Sequence, residues 1–309
     1  MKVRIGFAAG AGVADSPVEF LRLVDALDDL GYDSVWIPDI VTTATMEPLA
    51  ALGVAAGRRP RLKFGTHLII PGRNPVMLAK QLATLDQLSQ GRVLLNGVLG
   101  LREPAELQAQ GVEAEERTSM LEESLHVMRT LWSGEPLTFH GRHFDYDDLT
   151  LAVRPMQQPL EVWLGGQVPA ALRRCGRHGD GWMPGLCTPA EAAAGKAVID
   201  AEAERAGRIV DPEHFGVNLS WADAITERVR TAVAARRPDA VAEDLIAVGT
   251  SGLVESMQAF LAVGFSKFVI RPLLTPNSWA DAAASVSEVL EQQSVGGAEL
   301  TNRPTTLTP

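Results

Sequence analysis

Short apolar runs separated by amphipathic helical segments recur along this chain, and that alternation leaves few folds open. Residues 3–8, 34–38, 62–70 and 92–99 are apolar almost throughout and rich in β-formers. Between the first two, Ser16-Pro17-Val18-Glu19 reads as a capping box with proline at the first helical position. Phe20, Leu23, Val24, Leu27 and Leu30 follow at helical spacing until Gly31 ends the helix. Residues 48–56 read as a short helix. Asn74-Pro75 opens another, with Leu78, Leu82, Leu85 and Leu88 on one face and a close near Gly91. Strands that are apolar on both faces need cover on both faces, which a parallel sheet with crossover helices provides.

The rhythm continues through the run ending at Leu164 and through 181–184, 215–220 and 267–271, which brings the count to eight strands. Eight is the count of a closed (β/α)8 TIM barrel, and a length of 309 residues suits one. An open doubly wound sheet gives a similar alternation; length and strand count favour the barrel. Two stretches break the pattern and read as insertions after the fourth and seventh strands. Residues 101–159 hold a helix at 118–132 and an aromatic stretch with Phe139, His140, His143, Phe144 and Tyr146. Residues 222–250 are charged, with Arg228, Arg230, Arg236 and Arg237. The tail 294–309 is polar and proline-rich and reads as disordered, which leaves one domain over 1–293.

A net charge of −10 argues against binding to nucleic-acid backbone or an anionic membrane. No apolar run reaches membrane-spanning length. Residues 1–7 read as a first strand and not as a signal peptide. Two cysteines, Cys175 and Cys187, cannot make a disulfide framework or a zinc site by themselves and fit a reducing cytoplasm.

The most informative local feature is Leu160-Glu161-Val162-Trp163-Leu164-Gly165-Gly166, a strand ending on paired glycines. Gln167 and Val168 lead from it into a helix at 169–177. Such a turn leaves backbone N–H groups uncovered at a helix N-terminus, which suits a phosphate. It also fits a tight turn needing positive φ. Asp39 follows the second strand, where carboxylates of a barrel face the active site; a turn cap is the other reading. His67 lies inside the third strand, where a hydrogen-bonded core role competes with catalysis. His140, His143 and Asp145 are too few and too loosely spaced for a metal site, and no metal is expected. His178 and Asp180 read as turn and capping residues. No nucleophile elbow, Walker loop or His-Glu-x-x-His motif occurs, and Gly97 and Gly100 lack the spacing of a dinucleotide fingerprint.

Several of these pieces together resemble the bacterial luciferase-like superfamily of flavin- and deazaflavin-dependent oxidoreductases. They are Leu30-Gly31-Tyr32-Asp33-Ser34-Val35-Trp36-Ile37-Pro38-Asp39, the long run from Asn74-Pro75-Val76-Met77-Leu78 to Ser89-Gln90-Gly91-Arg92, and Val162-Trp163-Leu164-Gly165-Gly166 with Gly179-Asp180-Gly181-Trp182. Arg117 and Leu131-Trp132-Ser133-Gly134 add to them. The resemblance implies a (β/α)8 barrel that holds coenzyme F420, or alternatively FMN, at the C-terminal mouth. Its phosphate would lie on Gly165, Gly166, Gln167 and Val168. A bulge in the third strand, often with a non-proline cis peptide, would back the ring at His67, Leu68 and Ile70, and Asp39 would touch ring or substrate. The implied activity is F420-dependent hydride transfer to or from a small, mostly apolar organic substrate, with an FMN-dependent monooxygenase as the alternative. Relatives are often homodimers. The chain departs from the pattern at Ile40, where many F420-dependent relatives carry a histidine. It departs again at Leu101, where the sugar-phosphate dehydrogenases carry a glutamate and only Glu103 is nearby. That argues against sugar-phosphate oxidation, leaves the general acid unassigned, and keeps open a cofactor-binding protein without turnover.

Overall fold

The computed structural model describes residues 2–10, 15–274, 276 and 278–292; the tail 294–309 lies outside them. Strands and helices alternate from the start: β1 Arg4–Ala8, α1 Pro17–Asp29, β2 Ser34–Pro38, α2 Pro48–Arg58, β3 Lys63–Ile69, α3 Pro75–Leu88 and β4 Val93–Val98. Two helices, α4 Pro104–Gln110 and α5 Arg117–Ser133, and the strands β5 Leu137–His140 and β6 Asp145–Leu149 come before β7 Val162–Leu164. Alternation resumes with α6 Pro169–His178, β8 Gly181–Trp182, α7 Pro189–Arg205 and β9 Gly216–Ala222. The chain then runs through α8 Glu227–Ala234, α9 Ala242–Leu245, β10 Ala247–Val248 and α10 Gly249–Ala262 to β11 Lys267–Pro272 and α11 Trp279–Gln292. β1, β2, β3, β4, β7, β8, β9 and β11 are the eight expected strands in (β/α)8 order.

The chain packs as two compact units, Ile37–Val162 and the described residues of Met1–Trp36 with Trp163–Pro309. Within the latter, β1 pairs in parallel with both β11 and β2, and β11 pairs with β9. β10 adds to β9 at Trp221 and Ala222, and β7 pairs with β8. Phe7 projects from β1 against Tyr32 and Trp279 in edge-to-face contacts, so alternate residues of this strand face the helical layer. The 222–250 segment has its own apolar cluster, with Val229 and Val233 of α8 packed on Ala242, Leu245 and Ile246.

In Ile37–Val162, β3 and β4 pair in parallel from Phe64↔Val93 to Ile69↔Val98, and β5 and β6 form an antiparallel pair. The long family-like run from Asn74 to Arg92 proves to be scaffold. Asn74 caps α3 by accepting the N–H groups of Val76 and Met77 at 3.0 Å. Asp86, fully buried, accepts the backbone and side-chain N–H of Gln157 at 2.8 and 2.7 Å. The Arg92 guanidinium donates to the carbonyls of Arg59, Leu62 and Ala56 and covers the Phe64 ring. These buried polar groups join loops that apolar packing alone leaves free to slide.

Two details differ from the sequence expectations. Ser16 caps α1, but the Glu19 carboxylate pairs with Arg22 instead of returning to the cap, so half of the box forms. The complete box forms at α7, between Thr188 and Glu191. Leu78, Leu82 and Leu85 line the buried face of α3, whereas Leu88 in its last turn is 71% exposed.

Candidate functional site

Asp39 follows the last residue of β2. Its N–H donates to the His67 carbonyl at 3.3 Å, which continues the ladder beyond β2 and fixes the carboxylate beside the end of β3. Oδ2 accepts the Ile69 N–H and Arg73 Nη2, both at 3.0 Å. The same guanidinium donates through Nε to the Ile69 carbonyl at 2.9 Å and pairs with Glu47 at 3.6 Å. The Asp39 side chain is 6% exposed. Burial raises its pKa above the ordinary carboxylate value, and the pull of Arg73 offsets only part of this. Both donors act on Oδ2, so Oδ1 has no donor among the described residues. A carboxyl group of this kind can hold or accept a proton at Oδ1 while Oδ2 stays fixed. Asp39 is therefore bonded across to β3 and Arg73, not capping the loop that follows.

Two buried charges tether neighbouring loops. Glu106 of α4, 2% exposed, accepts the N–H groups of Val41 and Thr42 at 3.2 and 2.7 Å and the Thr42 hydroxyl at 2.5 Å. Burial raises its pKa, but these three donors outweigh burial and the net shift is downward. Arg117 of α5, also 2% exposed, donates to the carbonyls of Leu99, Gly100 and Leu101 at 3.3, 3.1 and 2.7 Å. The loops carrying Ile40 and Leu101 are thus held from α4 and α5. Leu101 and Glu103 are exposed, and Glu103 stands at the N-cap of α4 without a side-chain capping bond.

His67 pairs in register with Asn96, whose Nδ2 donates to His67 Nδ1 at 2.7 Å. That bond keeps the imidazole proton on Nε2 when the ring is neutral. Asn96 Oδ1 is buried and without a hydrogen-bond partner among the described residues. The expected cis peptide and bulge at His67–Leu68 are not found. The β3–β4 register runs unbroken through both residues, and the one cis bond among the described residues is Gln158–Pro159. The continuous pairing accommodates both residues without the extra residue a bulge requires. Leu68 and Ile70 are fully buried, backbone and side chain alike.

The glycine turn lies in the other unit. Gly166 has φ of +96°, and a Cβ there would stand 2.8 Å from Ala171 Cβ. Both facts require glycine. The turn feeds α6, which has Val168 at its N-cap, no side-chain capping bond and a proline in its first turn. The N–H groups of Gln167, Val168 and Ala170 have no acceptor among the described residues. Gln167 is drawn aside by its own amide, which donates to the Gly185 carbonyl at 2.6 Å. The second half of the motif props this turn. Trp182 Nε1 donates to the Gly166 carbonyl at 2.9 Å, and Gly181 leaves the room that the Trp163 ring fills. Asp180 pairs with Arg208 at 3.0 Å. Gly166 is thus a turn residue that needs positive φ, and the turn leaves N–H donors open at a helix N-terminus.

The histidines of the β5–β6 region have separate partners. His140 bonds Asp145 at 2.5 Å on the surface, while His143 Nε2 shares a hydrogen bond with Ser119 at 2.8 Å. No group of metal-ligating side chains is present among the described residues. No helix in the described residues is long and apolar enough to cross a membrane. Both cysteines are buried and unpaired, and burial pushes each thiol up to about 12. Sequence reasoning missed Arg73 and Glu106. Arg73 lies one residue before the Asn74 cap, and nothing in its local pattern marks it as a partner of Asp39.

Comparison with known proteins adds a family. The luciferase-like monooxygenase family model matches residues 2–299. An F420-dependent glucose-6-phosphate dehydrogenase of Amycolatopsis mediterranei (strain U-32) is 30% identical over 196 residues, 60% of this chain and 57% of that protein. Another, of Segniliparus rotundus, is 32% identical over 205 residues, 62% of this chain and 59% of that protein. The chain thus matches less than two thirds of the length of these curated relatives. Among solved structures, an F420-dependent secondary alcohol dehydrogenase with an F420-acetone adduct aligns over 94% of this chain and 98% of its own, with a TM-score of 0.78 and 21% identity. A monooxygenase from Streptomyces bottropensis covers 94% of this chain and 99% of its own, with a TM-score of 0.75 and 20% identity. At these identities the structural likeness speaks for the fold.

Proposed function

The chain belongs to the luciferase-like monooxygenase family, and from that premise we propose that it is an F420-dependent oxidoreductase acting on a small organic substrate. The observation that carries the reading is the turn at 165–168, with its forced glycine and its unclaimed N–H donors at the start of α6. These residues fit a phosphate-bearing cofactor: a Cβ at Gly166 would crowd the cradle, and nothing among the described residues supplies the acceptor those donors need. The likeness to the F420-dependent dehydrogenase relatives supports the deazaflavin over FMN.

Bound F420 would supply a hydride donor or acceptor at its ring. The chain's own part is to bind, orient and manage protons. Gln167, Val168 and Ala170 would hold the phosphate through backbone N–H groups, with the N-terminal end of α6 favouring its charge. Asp39 would touch ring or substrate through Oδ1 and hold or release a proton there, while Arg73 and the Ile69 N–H fix Oδ2. His67, with Nδ1 taken by Asn96, would border the ring, with Leu68 and Ile70 buried behind it. Much of the rate would come from positioning, since Ile40 and Leu101 offer no proton. The proposal extends to one catalytic domain over 1–293, a cytoplasmic location that the unpaired buried thiols favour, and a homodimer, as the resemblance implies.

Titration of the purified protein with F420, followed by its fluorescence, tests the reading. Saturable binding at micromolar concentration or tighter is expected, with FMN weaker. Absence of F420 binding sinks it. Tight FMN binding with substrate-dependent oxygen uptake would replace it with the monooxygenase reading, which the family's own description favours.

A further inference from the structure

The 222–250 segment carries Arg228, Arg230, Arg236 and Arg237, which the cofactor reading leaves without a task. Two of them are neutralised. Arg230 pairs with Glu243, and Arg237 pairs with Glu191 at 2.7 Å and Asp239 at 2.9 Å. Arg236 stands in the turn just after α8, held there by its N–H to the Val233 carbonyl. It is exposed, and its side chain has no acidic partner among the described residues.

Its neighbour in charge is Arg271, near the C-terminal end of β11. Strand alternation puts Arg271 on the same face as Val269 and Lys267. Lys267 shows what that face does with a cation when no ligand is intended. It pairs with Asp33 at 2.8 Å and lies over the Trp36 ring at 5.9 Å. Arg271, two strand repeats further toward the C-terminal end, has no carboxylate partner among the described residues. Its register partner is Ser220 of β9, a buried hydroxyl on the same face. Arg271 is half-buried, and burial first and Arg236 second disfavour its charged form. A guanidinium stays charged even so, and one set into the protein beside a like charge is unfavourable unless an anion completes it. The C-terminal ends of strands are also where a (β/α)8 fold builds its site.

We propose that Arg271, with Arg236 beside it, binds an oxyanion of the substrate, a carboxylate or phosphate group. The fork of Arg271 offers the planar, two-point fit that either group takes, and Ser220 can add a hydroxyl donor. Calling the anion part of the substrate rests on the oxidoreductase reading above; the binding site itself does not.

The test uses the full chain with 15N-labelled arginine and follows the side-chain Nε–H signals as inorganic phosphate or acetate is added. The signal lost in Arg271→Met identifies Arg271, and Arg271→Lys serves the same purpose if that variant does not fold. The Arg271 signal should move and saturate at millimolar phosphate, acetate or both. Arg236→Met should weaken that binding about 5-fold, as expected for a contact worth about 1 kcal/mol, while Arg228→Met leaves it unchanged. Saturation by phosphate alone selects a phosphorylated substrate, and saturation by acetate alone selects a carboxylate. An Arg271 signal that ignores both anions overturns the proposal. So does equal weakening by Arg228→Met, which would mean diffuse charge. No F420 is present in these titrations, so failure to bind F420 would sink the functional reading and leave this result standing.

Discussion

Replacing Gly166 by alanine separates the proposed phosphate role of the glycine turn from its role as a turn. At φ of +96° a side chain costs about 1–3 kcal/mol in backbone strain. The new Cβ would also stand 2.8 Å from Ala171 Cβ, and ordinary contact begins at 3.4 Å, so the turn and the first turn of α6 must part by 0.6 Å. Charge-assisted hydrogen bonds tolerate little such movement, and losing one costs about 1.5–3 kcal/mol. F420 affinity should then fall roughly 10- to 100-fold. Strain should lower the melting temperature as well, by roughly 2–4 °C per kcal/mol in a chain of this size. The informative comparison is a deazaflavin that lacks the phosphate. The Gly166→Ala variant should bind it as the parent protein does, because the lost contacts are to the phosphate alone. Equal loss for both ligands would refute the assignment and make the turn structural. Unchanged F420 affinity in a destabilised variant would refute it as well.

Trp182→Phe removes the indole donor to the Gly166 carbonyl and should weaken F420 a few-fold, by about 1 kcal/mol, with the phosphate-free analogue again unaffected; equal weakening of both ligands would argue against it. Asp39 ionises near 3.8 in the unfolded chain and higher in the folded one. Between those values the native state keeps a proton that the unfolded chain has lost, so the stability Asp39 contributes falls as pH rises through that window. Asp39→Asn should remove this slope from a series of urea midpoints, and a series that keeps the parent slope contradicts the buried-carboxyl account. Glu106 has the opposite sign. Its folded pKa lies below the unfolded 4.5, so its contribution is present above that value and is lost as pH falls through the folded one. Glu106→Gln should cost about 1–3 kcal/mol and speed amide exchange at Val41 and Thr42. Exchange there at the parent rate would show that the loop does not depend on Glu106.

The sequence carried the order of elements because apolar periodicity is a local property. The runs at 34–38 and 92–99 had to be strands whatever they packed against, and β2 and β4 lie where the pattern puts them. The helix caps were legible for the same reason, Asn74 and Ser16 being read within one turn of their own residues. What stayed hidden depends on pairs distant in sequence. Arg73 lies 34 residues from Asp39, and Glu106 lies 64 from Thr42. Each looks like an ordinary surface charge until the fold buries it. The expected break at His67–Leu68 came from the resemblance, not from these residues, and the local sequence Gly65-Thr66-His67-Leu68-Ile69 already had the composition of an uninterrupted strand.

The same reasoning explains why the glycine turn and Asp39 were unequally legible. The proposed phosphate site leaves a mark in the sequence because its turn needs glycine, which permits the positive φ that Gly166 takes and the close approach to Ala171. A proton site made of a carboxylate needs no special residue. Any aspartate at a strand end would read like Asp39, and its character comes from what the fold places around it. Burial lifts its pKa, Arg73 and the Ile69 N–H engage one oxygen, and the other is left open. Arg271 is the cationic counterpart. As the fifth residue of β11 it is unremarked in sequence, and its meaning appears only when Lys267 on the same face is seen to have Asp33 and Arg271 is seen to have no acid among the described residues. Burial of a charge turns an ordinary residue into a selective one, because an uncompensated charge in low dielectric favours whichever ligand completes it. Selection by such residues then depends on the ligand's own charge, and that is the property the phosphate and acetate titrations measure.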